Sequence, residues 1–246
     1  INVRSTVATY AGVHDELRKL YSKTAAARER KLKAGAFSYN TGSLRCPECN
    51  GTGVVNLDVQ FLPDVNIPCP DCKGSRYSDE AYEVKLTNKA GDSVSLPELM
   101  AMNVDTAIEF CKDMKSVCRK LEVLKTLGLG YLTLGEETPS LSGGEAQRLK
   151  LANEIGKAQS DSVFVFDEPS IGLHPLDVQV LLGVFQILLD HGATLIVIEH
   201  DLDVIRNADY VIDMGPGGGE SGGRIIATGT PEEIRCDEKS VTGRYL

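Results

Sequence analysis

Two groups of side chains in this sequence have the types and spacing to do chemistry. The first is a set of four cysteines in two matched knuckles, Cys46-Pro-Glu-Cys49 and Cys69-Pro-Asp-Cys72, with 19 residues between the pairs. Each knuckle can present two thiolates from one tight turn, so the two together complete a tetrahedral four-cysteine site. Asn50-Gly51-Thr52-Gly53 and Lys73-Gly74 add the backbone freedom that a turn around a metal needs. Soft thiolates without an oxygen ligand suit Zn²⁺, and a closed set of four makes the ion structural rather than catalytic. Unmetallated thiols, a redox pair and an iron–sulfur cluster would use the same residues; the matched knuckles favour zinc. Arg45, Lys73 and Arg76 flank the knuckles and can meet phosphates, although Glu48 and Asp71 dilute their charge. Cys111, Cys118 and Cys236 stand apart as free thiols, the first two read as lying on one helix.

The second group lies in the last 110 residues. LSGGEAQR, Leu141 to Arg148, puts Ser142, Gly143 and Gly144 ahead of a helical run, where a hydroxyl and backbone N–H groups can face an anion. VFVFDEP ends a strand on two carboxylates: Asp167 is placed to hold Mg²⁺ through water, and Glu168 to polarise an attacking water. IVIEHD brings His200 to the end of the next apolar strand, in reach of a γ-phosphate if both strands share a sheet edge. Ser170 and Asp177 fall in the loop after the carboxylates, with His174 as a turn or packing residue. Each piece also has a plainer reading as an ordinary strand end or helix cap.

The elements that must position these groups follow from periodicity. Val13, Leu17, Leu20 and Tyr21 recur at helical spacing, and Lys23, Arg28, Arg30, Lys31 and Lys33 then form a basic run that reads first as a solvated face. From Phe37 to Tyr77 glycine, proline, asparagine and cysteine displace any helical rhythm. Residues 96–127 return to helix, with Ser95 or Asp105 as caps and Pro97 suited to a first turn. Beyond Ser142 helices alternate with apolar runs that read as buried strands, the signature of a mostly parallel sheet flanked by helices. The net charge of −9 excludes a globally basic nucleic-acid binder but not a local basic surface. No apolar run reaches the roughly 18 residues of a membrane span, so a cytoplasmic protein without a membrane partner is expected.

The order LSGGE, then apolar-Asp-Glu-Pro, then apolar strand-His resembles an ABC-type ATPase over roughly residues 134–231. Within that superfamily LSGGEAQRLKLANEI, DEPSIGLHPLD, IEHDLDVIRNADYVIDMGPGGGESGG and ATGTPEEI closely resemble the C-terminal half of excinuclease UvrA subunits. FSYNTGSLRCPECNGTG and IPCPDCKGSRY resemble the zinc module inserted in that half, and ATYAGVHDELRKLY the segment before it. The resemblance implies an α/β fold. It comprises a partial ABC-type ATPase domain, an inserted four-cysteine zinc module and a helical signature subdomain. The boundaries expected are 1–36 for the lead segment, 37–95 for the zinc module, 96–140 for the helical subdomain and 141–246 for the ATPase core. It further implies Cys46, Cys49, Cys69 and Cys72 as zinc ligands and Ser142, Gly143, Gly144 and Glu145 as the signature. Asp167 and Glu168 become the Walker B pair and His200 the switch histidine. ATP and Mg²⁺ are the implied cofactors; damaged double-stranded DNA, UvrB and a second copy of the protein are the implied partners, in nucleotide excision repair.

The sequence departs from the pattern in two places. It contains no GxxxxGK[ST] phosphate loop: Gly156-Lys157 is a decoy, with Leu151 and Ala158 where glycine and Ser or Thr are required. Ile1 is no initiator methionine, and the sequence reads as a piece whose phosphate loop would precede it. Negligible ATP hydrolysis by this chain alone and an incomplete sheet with exposed edges are therefore expected. The other departure is Glu145, where the general ABC signature has glutamine. The competing readings are a transporter's nucleotide-binding subunit and a zinc-dependent scaffold that has lost hydrolysis. The four-cysteine insertion speaks against the first, and the intact Asp167, Glu168 and His200 against the second.

Overall fold

A computed structural model describes residues 4–57, 65–152, 154–155, 162–171, 173, 175–215, 217 and 222–246, with backbone alone for 57, 65 and 175–177. The chain divides into two compact units, Ile1–Ile155 and Gly156–Leu246. The decoy Gly156-Lys157, His174 and the side chain of Asp177 fall outside the described positions.

The first unit is built on α1 (Val7–Tyr10) and α2 (Val13–Tyr21), followed by α3 (Ala25–Glu29). Val13, Leu17 and Tyr21 are fully buried along one face of α2, as their spacing predicts. Later in the unit come α4 (Leu96–Met100), α5 (Val104–Cys111) and α6 (Lys115–Thr126), and then α7 (Gly143–Leu151). Ser95 caps α4 in a capping box with Glu98, and Pro97 sits in its first turn, where a missing N–H costs nothing. Asp105 is not a cap: Asn103 takes that place by accepting the Thr106 N–H, leaving Asp105 in the first turn of α5. Cys111 and Cys118 do not share a helix, because Lys112–Met114 separates α5 from α6. The chain start is stitched to the approach to α7, since Val7 N–H donates to Glu136 C=O and Thr138 N–H to Ser5 C=O.

Between α3 and α4 lies the cysteine-bearing module. Its β1 (Val54–Leu57) and β2 (Val65–Pro68) form an antiparallel pair between the knuckles, and β3 (Lys85–Thr87) pairs with β4 (Ser93–Ser95). A buried polar chain ties the module to α2: the Tyr77 hydroxyl donates to Phe37 C=O at 2.9 Å and lies 2.8 Å from His14 Nε2. With the phenol hydrogen committed, Nε2 must carry the imidazole proton and donate to Tyr77. Burial, and then the Arg18 guanidinium, hold the His14 pKa down at about 4, so the ring is neutral.

The second unit begins with β5 (Val163–Asp167), which pairs in parallel with β6 (Thr194–Ile198) through α8 (Pro175–Asp190). Gly192, at φ +91, ends that helix in a left-handed conformation that glycine adopts without strain. The short α9 (Leu202–Arg206) leads to β7 (Val211–Gly215), antiparallel to β8 (Arg224–Gly229), and α10 (Pro231–Cys236) follows with Pro231 in its first turn. Among the strands β1 to β8, parallel pairing is confined to β5–β6. Nor are these strands buried on both faces as their apolar runs predict. Phe166 packs on Phe185 of α8 at 4.9 Å, whereas Val163, Val165, Ile196 and Ile198 are each more than half exposed. Among the described residues this pair is a two-stranded sheet on which α8 packs, and every second side chain of its strands is left in solvent.

Candidate functional site: a four-cysteine centre, a capped signature helix and a carboxylate–histidine pair

The four cysteine sulfurs converge. Cys46 Sγ lies 3.9 Å from Cys69 Sγ and Cys49 Sγ 3.6 Å from Cys72 Sγ, and all four ligand atoms lie within 4.8 Å of one another. A tetrahedron with Zn–S bonds of about 2.3 Å needs sulfurs about 3.8 Å apart, while a disulfide needs about 2.0 Å. The set therefore fits zinc and does not fit cystine. Both knuckles turn through left-handed backbone at Asn50, Gly51 and Gly53, and again at Lys73, Gly74 and Arg76. At Gly51 a Cβ would stand 1.7 Å from the Tyr39 carbonyl oxygen, so only glycine fits there. Burial raises the Cys49 thiol, but the Gly53 N–H at 3.3 Å and the adjacent thiols outweigh it and bring it to about 7.

The cations around the centre have different roles. Arg76 is 4% exposed, donates to Glu137 at 2.6 Å and stacks on the Tyr39 ring, so it is a structural link and not a phosphate contact. Arg45 donates to the Asn40 carbonyl, and Lys73 projects into solvent. A groove of about 910 Å³ beside the centre is lined by Lys73 and Arg76 but also by Asp71, Asp79, Glu98 and Glu136, a balance unsuited to an anion. Lys23, Arg28, Arg30, Lys31 and Lys33 are all exposed, with Arg30 paired to Glu83, in keeping with a solvated face.

At the start of α7 Ser142 is the N-cap. Its hydroxyl accepts the Glu145 N–H, and Glu145 Oε2 accepts the Ser142 N–H at 2.7 Å, closing a capping box. Glu145 also accepts the Tyr131 hydroxyl. Burial pushes the Glu145 carboxyl up, yet the Tyr131 and Ser142 hydrogen bonds and the Arg148 guanidinium overcome this and hold it low. The residue that departs from the usual signature thus has a local role: it fixes the first turn of α7 and ties it to the preceding loop. Gly143 has an ordinary backbone φ, and a Cβ built there would meet nothing within 4 Å. Packing does not require glycine at that position.

In the second unit the structure brings Glu168 and His200 together. Glu168 follows the last residue of β5, and His200 stands two beyond the end of β6. Parallel register sets Asp167 opposite Ile198, so both side chains emerge at the carboxyl end of the pair. His200 Nε2 lies 3.2 Å from Glu168 Oε1. Glu168 holds a left-handed backbone, φ +47, anchored by its N–H to Ile198 C=O at 2.9 Å. Such a conformation in a non-glycine residue costs on the order of 1 kcal/mol and persists where its surroundings impose it. Asp167 is exposed beside it, and Ser170 begins the next turn. Glu199 bridges the two loops and was not singled out from the sequence; its carboxylate accepts the N–H groups of Ser170, His200 and Asp201.

No family model matches the chain. Curated proteins do. UvrABC system protein A of Thermus thermophilus is 48% identical over 244 residues, covering 99% of this chain and 25% of that protein. The protein of the same name from Bacillus subtilis is 46% identical over the same length. Among solved structures, UvrA2 from Deinococcus radiodurans matches with a TM-score of 0.90 at 43% identity, covering 100% of this chain and 30% of that one. This chain therefore spans about a quarter of the curated relatives it matches.

Proposed function

We propose that this chain, homologous over its whole length to part of UvrA, is the zinc- and signature-bearing segment of a UvrA-type ATPase of nucleotide excision repair. The observation that carries the reading is the Glu168–His200 contact at the carboxyl end of β5–β6, where ligands of open α/β sheets bind. In this reading Asp167 would hold Mg²⁺, Glu168 would take a proton from an attacking water, and His200 would meet the γ-phosphate. When bound, ATP with Mg²⁺ supplies the phosphoanhydride whose cleavage drives the cycle. Ser142, Gly143 and Gly144, offered at the start of α7, serve an opposite nucleotide site, with Ser170 contributing from the loop after Glu168 and Asp177 from the first turn of α8, where the structure places it instead of in that loop. Cys46, Cys49, Cys69 and Cys72 hold a structural Zn²⁺.

Damaged double-stranded DNA, UvrB and a second copy are the proposed partners of the intact protein in the cytoplasm. No described helix is long and apolar enough to cross a membrane. The chain by itself is proposed to hydrolyse ATP negligibly, because it contains no GxxxxGK[ST] loop. Complementation tests the repair role: in excision-deficient cells lacking their own UvrA, the full-length protein carrying this segment restores survival after ultraviolet irradiation, and its Glu168→Gln variant does not. Full survival with Glu168→Gln would contradict the assignment.

A further inference from the structure

Glu199 is the most heavily hydrogen-bonded carboxylate of the second unit among the described residues. Oε1 accepts the Ser170 N–H at 2.7 Å. Oε2 accepts the His200 N–H at 2.9 Å and the Asp201 N–H at 3.2 Å. Ser170 is two residues beyond Glu168, and His200 is adjacent to Glu199 itself. The carboxylate therefore spans from the loop that carries Glu168 to the loop that carries His200, across 29 residues of sequence.

We propose that Glu199 is a positioning residue that holds Glu168 and His200 within contact by clamping their two loops to each other. The backbone alone does not secure this. Beyond the ladder the described residues of the two loops share a single main-chain bond, Glu168 N–H to Ile198 C=O, and Glu168 sits in a left-handed conformation that a relaxed loop would leave. Asp201 adds a second tie on its own side by capping α9, accepting the Asp203 and Val204 N–H groups, so the His200 loop is fixed from both flanks. A carboxylate suits the position because every group facing it is a donor. Burial pushes its pKa up, and the Ser170, His200 and Asp201 donors outweigh burial and hold it low, so it stays ionised. Glutamine has the same shape but presents an NH2 in place of one oxygen, turning donor against donor on one side of the clamp.

The inference rests on the ATPase reading above, and the test separates the two. Steady-state ATP turnover is measured for the full-length protein carrying this segment, as wild type, Glu168→Gln, Glu199→Gln and Glu199→Ala. Loss of turnover in Glu168→Gln establishes the ATPase reading. Given that loss, Glu199→Gln lowers kcat about tenfold and Glu199→Ala about tenfold or more, with KM for ATP within about threefold of wild type, because the reacting groups are misplaced while ATP still binds. Thermal melting of Glu199→Gln close to wild type supports the same conclusion, and if Glu199→Ala fails to fold, the isosteric variant decides alone. Turnover within about twofold of wild type in Glu199→Gln, or a loss confined to KM, overturns the positioning role and leaves the ATPase reading intact. Undiminished turnover in Glu168→Gln overturns that reading and the inference with it.

Discussion

At the scale of single residues, the instructive cases are those whose chemistry only the fold could assign. His14 is an unexceptional helical residue in the sequence, yet it is 2% exposed, neutral and bonded to Tyr77. Its pKa falls from 6.5 to about 4 on folding, so the unfolded chain takes up its proton first as pH drops. Stability from this group is complete above pH 6.5 and is lost as pH falls toward 4, by up to about 3 kcal/mol. Urea unfolding of wild type and His14→Gln across about pH 4–7 checks this: the difference between them shrinks as pH falls through that window, and a pH-independent difference would contradict it. Gly143 gives a second test. Alanine there has open space and no backbone strain, so Gly143→Ala changes stability by no more than about 1 kcal/mol. In the full-length protein the same change lowers ATP turnover at least about tenfold if a phosphate must approach that backbone. Equal activity in Gly143→Ala would remove the signature role.

At the scale of elements, local chemistry was the most legible. The cysteine knuckles, the Ser95 and Ser142 caps, Pro97, Pro231 and Gly192 each act within a few residues of their own position, and the structure places them as their types dictate. The signals that misled depended on partners far along the chain. Arg76 resembles Lys73 in sequence, but the Tyr39 ring and Glu137 draw it inward. Apolar strand runs predict burial on both faces, but how many strands and helices cover a sheet is not written in one strand. Glu199 lies beside His200, yet its role comes from Ser170, 29 residues away. The zinc module also makes an element-scale prediction. Its knuckles carry little apolar core beyond the cysteines and Val55, so a bound metal is expected to supply much of its stability. Atomic analysis finds one zinc per chain, and stripping it with a strong chelator lowers the melting temperature by at least about 10 °C. Because Tyr77 bonds His14, the loss spreads to α2, which amide exchange at Leu17 and Tyr21 reports. A metal-free chain with unchanged melting would argue against a structural ion.

At the scale of the whole molecule, each compact unit carries its own set of candidate residues. The four-cysteine centre and the signature helix belong to the first, and the Asp167–Glu168–His200 edge belongs to the second. The chain spans a quarter of its curated relatives, and β5–β6 leaves a row of valine and isoleucine side chains in solvent. The ATPase assignment is tested most directly by ATP turnover measured side by side for this chain, for the full-length protein and for its Glu168→Gln variant. Ordinary turnover is expected in the full-length protein, a loss of at least about a hundredfold in Glu168→Gln with ATP binding retained, and none above background in this chain alone. Full-length turnover indifferent to Glu168, or ordinary turnover by the isolated chain, would refute the assignment.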